Sequence, residues 1–313
     1  MRRGLPSVRR LLLMAGMAGL TACAPLLAPP EGPAPPPPQE AGPQPSPESR
    51  ALARYYERVQ ASLLAQGLLR TDGGGPDVPF DARRLAENFI RIALYDEYAN
   101  QGGRLVARET ASRVHRWEKP IRMQVEFGAT VPERQRRKDR ADITRYAARL
   151  SRLTGVPIRQ VTTGGNFNVF VVNEDERRAL GPRLREILPG INEAAVRTVT
   201  DMPRSTFCLV FAWEPEESGA YSNAVAVIRA EHPDLMRLSC IHEELAQGMG
   251  LSNDSPKARP SIFNDDEEFA LLTRHDELLL QILYDRRLRV GMTEREARPI
   301  VEQIAAELLG GES

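Results

Sequence analysis

Apolar positions recur with helical spacing in some segments of the chain and alternate with polar positions in others. The helical spacing predicts helices over these stretches: 51–66, a segment opened by Asp81, a segment opened by a Thr130/Glu133 capping box, 175–187, 190–200, 235–251, 273–284 and 293–309. The alternation extends over 104–127, where it predicts a half-buried strand at 121–127, and it predicts further strands at 166–173, 207–213 and 220–230, the last two forming a hairpin. Helices and strands that do not alternate regularly predict an α+β fold.

Residues 1–22 have the pattern of an export signal. They begin with basic residues, continue with a short apolar run and end in small residues. The segment Leu20–Cys23 (LTAC) resembles the lipobox of bacterial lipoproteins, which implies that Cys23 carries the lipid. Ala24 stands where an Asp would signal retention, so the resemblance implies a protein anchored in the outer membrane and facing the periplasm. The alternative is an ordinary signal peptide with a coincidental cysteine.

A proline-rich segment follows the candidate lipidation site. Of the 25 prolines, 11 lie between Ala24 and Ser49. Because proline fixes φ and lacks an N–H, residues 23–49 are expected to form an extended tether. The predicted organisation is a signal peptide (1–22), the lipidated Cys23 and tether (23–49), an N-terminal helix and linker (50–80), and one large domain with a C-terminal helical extension (81–313).

Charge changes this picture only slightly. The whole chain has 42 Lys+Arg and 42 Asp+Glu, and residues 1–22 contribute four arginines and no acid. Without them the net charge is about −4. A weakly acidic chain is a poor candidate for nucleic-acid binding, so the expected partners are the membrane, through the anchor on Cys23, and a periplasmic protein or peptide.

Two cysteines remain after Cys23. Cys208 lies in a predicted strand, and Cys240 lies in the helix predicted over 235–251. An exported protein matures in an oxidising compartment, so a disulfide between them is one expectation. Two buried free thiols are the alternative.

The segment 242–254 (HEELAQGMGLSND) has the strongest chemical pattern of the chain. If His242 were a zinc ligand, the next ligand on the helix would fall at Ala246, which cannot bind metal. One residue further on, the segment resembles the metzincin signature HExxHxxGxxH/D. The ligand positions then fall on Glu243, Gln247 and Asn253, and the general-base position on Glu244.

The resemblance continues after this segment. The sequence Ser261–Asn264 (SIFN) is similar to the Met-turn of metzincins, with Phe263 in the place of the methionine. The next helix resembles the TxxDxxALQxLYG pattern, with Asp276 and Tyr284 at matching positions. Together these elements imply a zincin-like mixed sheet with an active-site-type helix and C-terminal helices. The lipobox, tether and phrase EELxQxxGLxND also resemble a bacterial lipoprotein family known as domain of unknown function 2927, over most of residues 80–290.

The substitutions at the ligand positions change the expected chemistry. Zinc peptidases use three protein ligands, usually histidines, whereas Gln247 and Asn253 offer only neutral amide oxygens. No metal and no cofactor is therefore expected, and the alternative is a divalent cation held by oxygens, to which Asp254 and Asp265 would add. The favoured role of Glu243, Gln247, Asn253 and Asp254 is a polar network at the helix end. His242 is expected to be structural, since it lies about 100° around the helix from Glu243.

The sequence therefore favours an exported lipoprotein whose degenerate protease cleft binds or scaffolds without catalysis. An exposed edge strand, expected within 220–230, would pair with a peptide partner. The alternative is a divergent metallohydrolase that uses Glu244 as general base. A structural envelope protein with a closed cleft is a third hypothesis.

Overall fold

The computed structural model describes residues 42–101, 104–214, 218–264 and 266–310. The predicted signal peptide, Cys23 and the tether as far as residue 41 lie outside the described residues. Within these ranges no helix is long and apolar enough to cross a membrane.

The described chain contains helices and strands in irregular order. The helices are α1 (Pro47–Ala65), α2 (Ala82–Ala93), α3 (Glu133–Thr154), α4 (Glu174–Arg178), α5 (Gly181–Ile187), α6 (Glu193–Thr200), α7 (Asp234–Gln247), α8 (Arg274–Leu283) and α9 (Glu294–Gly310). The strands are β1 (Tyr95–Gln101), β2 (Arg104–Ala111), β3 (Ile121–Phe127), β4 (Ile158–Val161), β5 (Phe167–Val172), β6 (Cys208–Trp213) and β7 (Asn223–Arg229). The α+β class expected from the sequence is confirmed.

The main sheet has five strands in the order β4-β3-β5-β7-β6. All neighbouring strands are parallel except β6, which runs antiparallel to β7 as the predicted hairpin requires. The expectation that 220–230 holds the edge strand is wrong. β7 pairs with β5 on one side and β6 on the other, so β6 is the edge.

Helices cover both faces of this sheet, which explains why its central strands are apolar on both sides. On one face Val169 packs in the same core as Ile143 of α3 and Leu245 of α7. On the other face Phe170 packs with Leu184 of α5 and the neighbouring short helices. This packing on both faces fixes the positions of the β6–β7 hairpin and of α7.

Helix α1 precedes the sheet and docks against the segments that flank β6 and β7. Ser46 caps its N-terminus, and the Ser49 hydroxyl donates to Glu231 at 2.6 Å in a buried contact. Tyr56 is fully buried and donates its hydroxyl to the Arg204 carbonyl. The segment after the tether therefore packs against the domain.

Three local expectations differ from the structure. Helix α3 begins at Glu133 without a side-chain cap, because Thr130 instead binds the carboxylate of Glu176. The helix predicted over 175–187 is broken into α4 and α5. The alternation expected over 104–127 corresponds to two strands, β2 and β3, whereas β1 and the short strand β4 were not predicted.

Candidate functional site

A cleft of about 570 Å³ lies between the edge strand β6 and helix α7. One wall is formed by residues 205–212, and α7 contributes Ser239, Glu243, Glu244 and Gln247. The remaining described lining includes Thr198, Tyr221, Ser252, Asp254, Ile262, Asn264, Glu267 and Phe269. The cleft thus follows the edge of the sheet along most of β6.

The α7 residues predicted for this site have different exposures. Glu243 is half-buried, whereas Glu244 and Gln247 are buried, at 3% and 8% exposure. All three line the cleft. The predicted positions on α7 therefore do converge on one cavity.

The end of α7 is fixed by glycine. Gly250 has φ of +119°, which disfavours any side chain. A Cβ at this position would lie 2.1 Å from the carbonyl oxygen of His115. This close approach lets the chain turn sharply and brings residues 252–254 back towards α7.

The polar residues of the signature do not all point into the cleft. The Gln247 amide donates to Asp254 Oδ1 at 3.0 Å. Asn253 is 2% exposed and is turned towards α2, where its amide donates to the Arg91 carbonyl at 2.8 Å. Asp254 lines the cleft, but Asn253 does not. The third ligand position therefore serves to attach the loop to α2.

The residues present do not fit a zinc ion. Ligand atoms of Cys208, Glu243 and Glu244 lie within 4.8 Å of one another. However, Cys208 is joined to Cys240 by a disulfide, so its sulfur is not a thiolate ligand. Two carboxylates remain beside an amide that is already bonded to Asp254, which is not the nitrogen- and sulfur-rich set that zinc prefers.

Asp276 of α8 holds the turn formed by residues 261–264. It is fully buried and caps α8 through Thr273, whose backbone N–H and hydroxyl donate to Oδ2 at 2.9 and 2.8 Å. It also accepts hydrogen bonds from the Ser261 hydroxyl at 2.6 Å and the Ile262 N–H at 3.1 Å. Phe263 in this turn is fully buried. Of the turn residues 261–264, Ile262 and Asn264 line the cleft. Asp276 and Phe263 do not line it and instead hold the turn in place.

Tyr284 holds the C-terminal end of α7 in place. Its hydroxyl donates to the Met249 carbonyl at 2.8 Å and accepts from the Trp117 N–H at 3.2 Å. The Trp117 indole donates to the Gly248 carbonyl at 2.8 Å. Burial raises the pKa of Tyr284, so the hydroxyl stays protonated. Its role is to position the helix.

His242 faces away from the cleft. Its ring stacks on Tyr146 of α3 at 4.0 Å between ring centroids, and its Nδ1 accepts from the Leu272 N–H at 3.1 Å. Burial, with a smaller contribution from Arg149, lowers the pKa of His242 to about 3. It is therefore a neutral structural residue.

Several residues of the cleft had no signal in the sequence. Tyr221, Ser252 and Phe269 come from loops that flank β7, α7 and α8. Their side chains fit no motif, and only the fold brings them together. The hairpin register would have placed Tyr221 near β6, but the sequence does not show that the cleft lies on that side.

The charge of the cleft has one sign. Its described lining residues include the carboxylates of Glu243, Glu244, Asp254 and Glu267 and no lysine, arginine or histidine. A bound group that is positively charged would complement this surface.

These features define an α+β domain with an acidic cleft along the open edge of its sheet. The chain belongs to the family described as Protein of unknown function (DUF2927), whose model matches residues 82–303. The match runs from the start of α2 into α9 and includes every described residue that lines the cleft, whereas α1 lies outside it. No curated protein matches this chain.

Proposed function

We propose that this protein is a non-catalytic binding protein that holds an extended, positively charged peptide segment in the cleft beside β6. The single observation that carries the proposal is that the cleft follows the open edge of β6 while Gln247 and Asn253 are committed to structural hydrogen bonds.

The edge strand supplies the affinity in this proposal. One side of β6 is paired with β7, and its other side borders the cleft. An edge strand presents unpaired backbone N–H and C=O groups, which an added strand can satisfy without a metal.

The carboxylates supply the selectivity. A lysine or arginine side chain that enters the cleft would meet Glu243 and Asp254 from α7 and the following loop. An acidic peptide would meet like charges and would be repelled.

The second candidate is a metallohydrolase that uses Glu244 as general base. It is favoured by the position of Glu244, which is buried at the cleft on the helix that would carry a catalytic glutamate. It is weakened by the disulfide at Cys208 and by the orientation of Asn253. The order of α7, the 261–264 turn and α8 supports a zincin-like ancestry for either function.

We also propose that the protein is exported and lipid-anchored through Cys23, in the outer membrane and facing the periplasm. The signal pattern and the lipobox-like segment support this address, and so does the Cys208–Cys240 disulfide, since such bonds persist in oxidising compartments.

The binding proposal is tested with pools of short random peptides that contain a fixed central lysine or a fixed central glutamate. Binding to the full chain is followed by fluorescence anisotropy of labelled peptides. We expect the lysine pool to bind more tightly, and Glu243→Lys to abolish this preference. Glu133→Lys, an equal charge change at an exposed position on α3, is the control and should preserve it.

Backbone pairing is tested on the peptide itself. A tight-binding peptide is N-methylated at every second residue, in either of the two alternating sets, because strand N–H groups point alternately to opposite edges. We expect one set to abolish binding and the other to preserve it. Equal affinity of both methylated peptides, or equal binding of both charge pools, would overturn the proposal.

A further inference from the structure

Helix α3 presents a ridge of positive charge to solvent. The ridge consists of Arg134, Arg137, Lys138, Arg145 and Arg152, all of which are exposed. At 100° per residue these positions fall on one side of the helix, and Arg134 and Arg152 point in the same direction. The ridge extends for about 27 Å along α3.

Few acidic groups balance this ridge. Glu133 pairs with Arg137 at 3.3 Å, and Asp142 accepts from Lys138 at 3.0 Å and also from Arg145. The remaining acid of the helix, Asp139, is buried in an ion pair with Arg237 of α7. Asp234 of α7 also lies 3.7 Å from Lys138. Five cations thus face three carboxylates, of which Asp142 is mostly buried.

The ridge begins where the tether joins the domain. Ser49 in the first turn of α1 binds Glu231, and Gln135 in the first turn of α3 donates to the Ala230 carbonyl at 2.9 Å. Both helices therefore start at the same segment, 230–231. Helix α1, which follows the tether in the sequence, therefore begins near the basic end of α3.

We propose that this ridge docks on the anionic phospholipid headgroups of the membrane that holds the Cys23 anchor. Each lysine or arginine near an anionic surface strengthens binding by about fivefold. That gain is modest for a free protein, but an anchor on Cys23 would keep the ridge at a high local concentration near the membrane. The inference rests on lipidation of Cys23 and is independent of the cleft.

Docking would also set the orientation of the domain. Because α3 covers one face of the sheet, the membrane would lie on that side. The docked domain would then be held close to the bilayer instead of ranging over the full length of the tether.

The test uses the full-length lipidated protein reconstituted in vesicles. A dye is placed on the ridge through Ala148→Cys, and the matched control carries it on α9 through Ala306→Cys; both alanines are exposed. Nitroxide-labelled lipids quench a dye that touches the membrane. The vesicles contain phosphatidylcholine alone or mixed with phosphatidylglycerol.

We expect quenching at position 148 only in vesicles that contain phosphatidylglycerol. It should be lost when salt is raised from about 0.1 M to about 1 M, where the screening length falls from about 10 Å to about 3 Å. Equal quenching at both positions, or equal quenching in neutral vesicles, would overturn the proposal. Both outcomes are measured with all five basic residues of the ridge in place.

A charge-reversed protein gives the second measurement. Arg134→Glu, Arg145→Glu and Arg152→Glu together should abolish the quenching. Arg286→Glu, Arg289→Glu and Arg295→Glu make the same change in net charge at exposed sites between α8 and the start of α9 and should preserve it. Persistent quenching in the ridge variant, or equal loss in both variants, would contradict docking through the ridge. Binding of peptides in the cleft should be unchanged, which separates this proposal from the function proposed above.

Discussion

Gln247 Nε2 donates a hydrogen bond to Asp254 Oδ1 at 3.0 Å, and this bond joins the last turn of α7 to the loop that follows it. Both residues line the cleft. The amide at the second ligand position of the metzincin-like pattern therefore holds a neighbouring carboxylate in place.

Asp254→Ala tests the structural value of this bond. Removing the carboxylate leaves the buried Gln247 amide without this acceptor, and we expect the free energy of unfolding to fall by about 1–2 kcal/mol. Asp254→Asn retains an acceptor oxygen and should cost less. Urea denaturation followed by circular dichroism measures both variants, and equal stability of the alanine variant and the unchanged protein would contradict this role.

Asp276→Ala should destabilise the protein far more. The substitution removes the acceptor for buried donors from Thr273, Ser261 and Ile262. We expect a loss of about 3–5 kcal/mol. Glu296→Ala is the matched control, because Glu296 accepts the same two bonds from Thr293 at an exposed helix start and should cost about 1 kcal/mol. Similar losses in the two variants would show that Asp276 has no special structural role.

Gly250→Ala tests the turn that follows α7. The new Cβ would clash with the His115 carbonyl at a backbone φ that disfavours a side chain. We expect a loss of about 3 kcal/mol or more. Gly155 also has a positive φ, of +73°, but open space around a Cβ, so Gly155→Ala should cost only about 1 kcal/mol. Thermal unfolding of both variants gives the comparison, and a smaller loss for Gly250→Ala would contradict the close approach.

The Cys208–Cys240 disulfide joins β6 to α7 across 32 residues of sequence. Replacing both cysteines by alanine should lower the stability by about 3–4 kcal/mol, because the unfolded chain gains freedom. A reducing agent should lower the denaturation midpoint of the unchanged protein and leave that of the double variant unaltered. Equal stability of the unchanged protein and the double variant, both measured without a reducing agent, would contradict this contribution.

The buried histidines make stability depend on pH. Burial lowers the pKa of His242 to about 3, so the folded state excludes a proton that the unfolded state binds below about pH 6.5. His242 therefore leaves the free energy of unfolding unchanged above about pH 6.5. As the pH falls from 6.5 towards 3, the free energy of unfolding decreases by about 1.4 kcal/mol per pH unit. The lowered pKa of buried His232 also makes the protein less stable at low pH. Burial raises the pKa values of Glu231 and Asp139, which has the opposite effect on stability as the pH falls.

His242→Asn isolates one of these contributions. Asparagine can still accept a hydrogen bond from the Leu272 N–H but does not titrate. The stability difference between the unchanged protein and the variant should shrink by about 2 kcal/mol between pH 7 and pH 5. A difference that is independent of pH would show that His242 is not held neutral.

The sequence predicted most of the long helices, because their apolar stripes and caps are local signals, although the helix expected over 175–187 is broken into α4 and α5. Asp81 and Thr293 act as the predicted helix-start residues. The hairpin of β6 and β7 was also predicted, since its strands are adjacent in sequence. Which strand forms the edge was not, because the pairing of β7 with β5 is a long-range contact that leaves no local pattern.

The sequence singled out residues 243–254, but not the direction of each of their side chains. Residues 243–254 do line or support the cleft, yet the spacing alone could not show that Asn253 turns towards Arg91. A motif fixes the distance along the chain, whereas side-chain direction depends on the packing partner. Thr130 illustrates the same limit: the local sequence predicts a helix cap, but its hydroxyl donates to Glu176, which is distant in the sequence.

The central claim is that the cleft binds an extended basic peptide along β6 without cleaving it. Amide hydrogen exchange of the full chain, with and without a lysine-pool peptide, tests this claim directly. We predict that exchange slows at residues 208–213 and that the peptide is recovered intact. Unchanged exchange in β6, or cleavage of the peptide that Glu244→Gln abolishes, would contradict it.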